Sequence, residues 1–319
     1  MKRTAIRWLC ALGLAAALAV PAVAADHKPA LTPWGAPNLQ GVWTNRSLTR
    51  LERPASMTGL IIPDDGLAAR EAKTIHDFIH PADDALGQSE SEWYDDMHFG
   101  RVDGQARSSW IVDPADGRVP YTPEGRKLLL ARRAAMTGGS ANPEDRTGSD
   151  RCIVPAWAAL GPPMMNAPYA ANYVIVQTPD SVAILSEMNH EVRVIRLGGS
   201  HAGVVLPRWQ GDSVGHWEGA SLVVDTSGFH PLEVFRSPPY PISTNTHVTE
   251  RFTRVSPTQI KYEFTVDDPG MFTQPWRGEM PFVASSDRVF EYACHEGNYS
   301  MRGIMAGARK QEADAAAKH

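Results

Sequence analysis

Cys294, His295 and Glu296 place a thiol, an imidazole and a carboxylate at consecutive positions, inside the run Tyr292-Ala293-Cys294-His295-Glu296-Gly297-Asn298-Tyr299. Such groups can do nucleophilic or acid–base work. Residues 288–294 read as a strand leading into this motif. Neighbouring strand residues point to opposite faces, so Cys294 and His295 diverge and a Cys–His nucleophile pair is disfavoured. His295 is the better candidate base, oriented by Glu296, by Glu291 on its own strand face or by a carboxylate from a neighbouring strand. Arg251 or Asn298 would polarise a substrate oxygen. The competing reading is structural, with Glu296 and Asn298 satisfying turn backbone.

Further candidates lie upstream. His190, His201 and His247 fall in or beside the region with strand character. The chain has no His-x-x-x-His on a helix and no Cys-x-x-Cys, so it carries no closed metal signature and no cofactor is expected. A site assembled from distant barrel strands stays open as an alternative. Trp276, Trp217, His247, His190 and Tyr299 are candidate ligand contacts, with Trp276 as an aromatic wall behind the turn Asp267-Asp268-Pro269. Met164, Met165, Met188, Met271 and Phe272 suit either an adaptable apolar pocket or plain core. Glu250 and Arg251 are strand neighbours, so one of them faces inward and needs a partner. An inward Arg251 would meet Asp267, Glu263 or a substrate carboxylate.

Gly211-Asp212-Ser213-Val214-Gly215 has the spacing of a hydrolase nucleophile elbow, which needs a strand before the serine and a helix after it. Here Pro207-Arg208-Trp209-Gln210 precedes and a strand follows. A glycine turn opening a hairpin is the better reading.

The elements that must position these groups are mostly strands. From Asn172 onward, apolar and polar residues alternate in short runs separated by turns: 173–178, 181–188, 191–197, 221–226, 247–255, 260–266 and 288–294. This pattern predicts a mostly β fold: an antiparallel barrel or strongly curved, lipocalin-like sheet in the C-terminal half. The N-terminal part reads as loop-rich, with about two helices. One covers 64–78; the other opens at Thr122-Pro123-Glu124, where threonine caps and proline takes the first turn. Residues 80–108 read as a long loop wrapping the core. The expected division is a signal peptide at 1–24, a wrapping region at 25–170, a β domain at 171–310 and a disordered tail at 311–319.

The signal assignment rests on Lys2, Arg3 and Arg7, the apolar run 8–20 and the small residues Ala22 and Ala24. That run is too short to span a membrane, and no later stretch is long and apolar enough. Losing those three basic residues takes the formal charge from −5 to −8. A mildly acidic chain without a basic face disfavours nucleic acid as a partner. Cys10 would leave with the signal, and Cys152 and Cys294 would remain. In an oxidising compartment, a remaining pair is more often bridged than free.

Two segments resemble a widespread family of exported bacterial proteins. One is Gly211–Thr226, similar to G-x-S-x-G-x-W-[DE]-G-[DN]-T-L-V-V-x-T; here Gly219-Ala220-Ser221 departs from the usual Gly-Asp-Thr. The other comprises Glu250-Arg251-Phe252, Asp267-Asp268-Pro269, Pro275-Trp276 and Tyr292–Tyr299. The resemblance implies a periplasmic or secreted location and common ancestry, and it carries no mechanism.

Together these readings predict an exported enzyme acting on a small apolar or aromatic molecule at a barrel mouth. The chemistry would be of isomerase, lyase or hydratase type. A lipocalin-like carrier that binds without converting is the alternative, and a structural envelope protein is a third reading.

Overall fold

The computed structural model describes residues 27–78, 97–138, 141–155, 158–202, 207–231 and 240–318. The expected signal peptide and most of the expected loop over 80–108 lie outside these residues. The N-terminal part contributes β1 (Gly41–Thr44), β2 (Ile61–Ile62), α1 (Leu67–Phe78), β3 (Arg101–Val102), β4 (Gln105–Arg107), β5 (Ile111–Asp113) and α2 (Pro123–Gly138). There follow β6 (Asn172–Gln177), β7 (Ser181–Ser186), β8 (Val192–Leu197), β9 (Asp212–Glu218) and β10 (Ser221–Ser227). The last elements are β11 (His247–Ser256), β12 (Gln259–Asp267), β13 (Trp276–Ala284), the single-turn α3 (Cys294–Gly297) and α4 (Tyr299–Ala316).

Alternation drives the sheet. In β12, Ile260, Tyr262, Phe264 and Val266 are buried, while Lys261, Glu263 and Thr265 face out. Strands β6 to β13 pair in sequence order, and β1 closes the ring between β13 and β6, giving a nine-stranded barrel. Every pairing is antiparallel except β8 with β9, where only three residue pairs align. A parallel neighbour cannot be reached by a tight hairpin, and β8 and β9 are accordingly separated by a longer connection in the sequence. The barrel predicted for the C-terminal half is present, but its closing strand comes from the N-terminal part.

The interior is occupied by side chains. Trp43, Tyr173, Phe252, Tyr262, Phe264, Trp276, Met280 and Phe282 are all buried and belong to one continuous core. Leu160, Met164, Met165, Phe229, Tyr240 and Ile242 from the connecting segments join the same core. Gly278 makes room for this filling, since a Cβ there would lie 2.3 Å from the Phe264 ring. Outside β12 and β13, the small sheet β2–β4–β3 is held by Lys261 to Asp103 at 3.1 Å and Arg107 to Glu279 at 2.9 Å.

Both predicted helices are present. Thr122 caps α2, its hydroxyl accepting from Gly125 N–H at 3.0 Å. Two expectations are corrected near the C-terminus. Residues 288–293 form no strand, because no barrel edge is left for them once β1 has paired with β13. The tail predicted to be disordered continues α4 through Ala316, in a run with no proline and good helix formers.

Candidate functional site

Inside the barrel, five consecutive strands each supply one polar group to a single network. Arg193 on β8 donates from Nη1 to Glu250 Oε1 at 2.9 Å and from Nη2 to Glu250 Oε2. It also donates to Ser213 Oγ on β9 and Thr226 Oγ1 on β10, both at 3.1 Å. Tyr262 on β12 donates to Glu250 Oε1 at 2.7 Å and accepts from Met164 N–H at 2.8 Å. Burial pulls the Arg193 guanidinium's value down, but the Glu250 carboxylate outweighs it and the net shift is upward, keeping the side chain charged. Burial first, and then Glu250, raise the Tyr262 phenol well above its ordinary value, so it stays a donor. All five side chains are buried. The network is sealed, and its hydrogen bonds are made within the protein.

This settles two questions left by the sequence. Of the Glu250–Arg251 pair it is Glu250 that faces inward. Arg251 lies outside and donates to Glu218, whose carboxyl it holds below the ordinary range. Ser213 is a buried barrel residue bonded to Arg193 and Thr226, so it is no exposed nucleophile. Gly211 has φ +68°, and a Cβ there would sit 2.8 Å from Ser227 O; it is a turn glycine.

On the outer surface, Asp225 lies between two histidines, His201 Nε2 at 2.7 Å and His247 Nε2 at 2.8 Å. His201 Nδ1 is 3.3 Å from Asp212. Asp212 accepts from Arg196 at 2.6 and 3.0 Å and from Ala202 N–H at 2.9 Å. The row fastens the segment after β8 back onto β9 and β10. Among the described residues, no group of three or more His, Cys, Asp or Glu side chains is arranged to hold a metal ion.

Arg196 first, then Ala202 N–H, hold the Asp212 carboxyl well below its ordinary value of 3.8, against the opposing effect of burial. A lowered folded value means that the contribution is complete above the unfolded value and lost as pH falls through the folded one. Asp212→Asn is therefore expected to cost about 1 kcal/mol at pH 7. It should also flatten the loss of stability below about pH 4. Urea midpoints for the two proteins from pH 7 to pH 2 test this, and parallel curves would refute it.

The Cys-His-Glu motif lies on a third feature, a cleft of about 740 Å³. One wall is Arg146, Thr147, Ser149 and Asp150; the opposite wall runs from Glu291 to Ser300, and Tyr169 and Asn189 complete the lining. The Cys152–Cys294 disulfide joins the walls with Cα atoms 5.8 Å apart. Asn298 joins them again, its Nδ2 donating to Asp150 O at 2.7 Å while its Oδ1 caps α4. Phe290 N–H donates to the Glu187 carboxylate at 3.1 Å and anchors the returning chain beside β7. Tyr169 and Tyr292 pack against Ala159, Ala167, Ala171 and Met188 behind the cleft.

The structure separates the residues that the sequence grouped. Tyr292, Ala293, Cys294, Gly297 and Asn298 line the cleft, whereas His295 and Glu296 are exposed on α3 outside its lining. Trp276 is buried in the barrel among Tyr240, Phe264 and Phe272, so it is core rather than a surface wall. Trp217 packs on the core margin, while His190 and Tyr299 are exposed. Met164, Met165, Met188 and Phe272 are buried core.

The sequence reading missed Arg193, Asn189, Glu291 as a cleft residue and the wall 146–150. Arg193 carried a faint signal, since in the alternating run 191–197 it shares a strand face with Ile195 and Leu197. Asn189 has φ +59° and His190 φ +55°, Cys152 has φ +56° and Ala170 φ +46°. Among the described residues, four of the six non-glycine positions with positive φ therefore sit in or beside this cleft. Such conformations cost on the order of 1–3 kcal/mol each and gather where a site over-determines the backbone. Asn189 Nδ2 is buried with no hydrogen-bond partner among the described residues. Comparison of the chain with protein families, curated proteins and solved structures found no match.

Proposed function

We propose that this is an exported protein that binds a small molecule in the disulfide-tied cleft, not in the barrel. The observation that carries this is the cleft itself, with an unsatisfied amide donor at Asn189. Its volume of about 740 Å³ lies within the roughly 300–1,000 Å³ typical of ligand pockets. The barrel interior, where a lipocalin-like carrier would hold its ligand, is filled by aromatic side chains. An acid–base enzyme built on His295 draws less support, because that imidazole is exposed outside the cleft lining. Export is supported by the disulfide and by the basic-then-apolar N-terminal sequence.

Native mass spectrometry of protein purified from its own host tests the assignment. A small-molecule adduct should be retained by the wild type and lost in Ser149→Trp, which fills the cleft from its outer wall, with the unfolding midpoint unchanged. An adduct that survives Ser149→Trp would place the ligand elsewhere, and a wild type without adduct would count against the binding role.

A further inference from the structure

Resting on that cleft reading, we propose that the ligand is a neutral, polyhydroxylated molecule of the carbohydrate class. The cleft carries one cation, Arg146, and it is neutralised within the wall by Asp150 at 2.9 Å. Glu291 lines the opposite wall at its exposed margin, and among the described residues it has no ionic or hydrogen-bonding partner. Asn189 lines the same cleft, and its Nδ2 is buried with no hydrogen-bond partner among the described residues. The ligand must therefore offer a donor to a carboxylate and an acceptor to an amide.

A hydroxyl group does both, since it carries one O–H and two lone pairs. An organic cation would satisfy Glu291 but leave Asn189 unmatched. A carboxylate ligand would satisfy Asn189 but meet Glu291 with like charge and find Arg146 already paired. A zwitterion would need an uncompensated cation for its anionic end, and the lining provides none. A purely apolar ligand would leave the buried Asn189 amide unpaired. The remaining lining groups fit the same class. Tyr169 and Tyr292 add aromatic residues to the lining, and Thr147, Ser149 and Ser300 add hydroxyls.

The test is ligand-observed NMR and calorimetric titration of the full, disulfide-intact protein. The panel comprises neutral monosaccharides and their short oligomers (hexoses, N-acetylhexosamines, pentoses), with choline and glycine as charged controls. Binding by at least one saccharide is expected. Glu291→Gln and Asn189→Gly, the latter chosen because glycine accepts the positive φ at that position, should each weaken it about tenfold, with unfolding midpoints held within the experimental spread. Choline or glycine binding with that same variant dependence would overturn the carbohydrate class and leave the cleft assignment standing. Saccharide binding that is indifferent to Glu291→Gln, Asn189→Gly and Ser149→Trp would overturn both. A panel in which no saccharide binds would overturn the carbohydrate proposal, and the host-ligand adduct would then be decided by mass spectrometry alone.

Discussion

Glu250→Gln is expected to destabilise the protein by about 3–5 kcal/mol, because it strands a charged guanidinium inside the barrel. The Arg193 and Glu250 side chains are 2% and 0% exposed, so water cannot take over the lost interaction. Arg193→Met should cost a similar amount by leaving the carboxylate unpaired, with Tyr262 its only charge-stabilising donor. The double variant Arg193→Met with Glu250→Leu should recover most of the loss, since replacing both members of a buried pair by apolar groups is often nearly neutral. Equilibrium urea unfolding of the four proteins gives the coupling directly. A Glu250→Gln protein within 1 kcal/mol of wild type would show that the network contributes little. The placement of the pair explains why the effect should be large. Arg193 reaches across the weakly paired β8–β9 junction to β9, β10 and β11, while Tyr262 extends the chain of bonds to β12 and Met164. The network thereby stands in for the backbone hydrogen bonds that three aligned residue pairs cannot supply.

The second large effect concerns the disulfide. It closes a loop with a sequence separation of 142 residues, for which the chain-entropy argument gives about 5 kcal/mol of stabilisation. Cys152→Ser with Cys294→Ser is expected to lower stability by about 4–5 kcal/mol. A readout closer to function accompanies this. Without the bridge, the wall 291–300 is held by Asn298 to Asp150, Phe290 to Glu187 and Arg309 to Ala141. Helix α4 buries none of its residues, so packing will not substitute. Amide exchange in residues 291–316 should therefore accelerate while the barrel strands stay protected, and the cleft should lose its ligand. Unchanged protection in 291–316 after removal of both cysteines would mean that the walls hold themselves.

The same two features show where sequence reasoning succeeds and where it stops. Alternation in β12 and the short break between the runs 173–178 and 181–188 are local, so these strands were legible. Thr122-Pro123-Glu124 announced α2 for the same reason. The disulfide was legible because only two cysteines remained once the N-terminal segment was set aside. By contrast, assigning Arg288–Cys294 to a strand assumed a free barrel edge, and β1, whose Trp43 pairs with Ala284, had already taken it.

Composition, alternation and capping thus determined a mostly β chain with two helices in its N-terminal part and one cysteine pair. Those signals are short-range, and each can be read within one turn or one strand. Tertiary structure alone decided which of Glu250 and Arg251 faces inward, that Arg193 meets Glu250, and that Trp276 is core. It also decided that the Cys-His-Glu triplet divides, with the cysteine tying a cleft and His295 and Glu296 left in solvent. Inward and outward faces follow from register around a closed ring, and the cleft exists only where residues 146–150, 169, 189 and 291–300 converge. No local pattern encodes a meeting of segments so far apart in the chain.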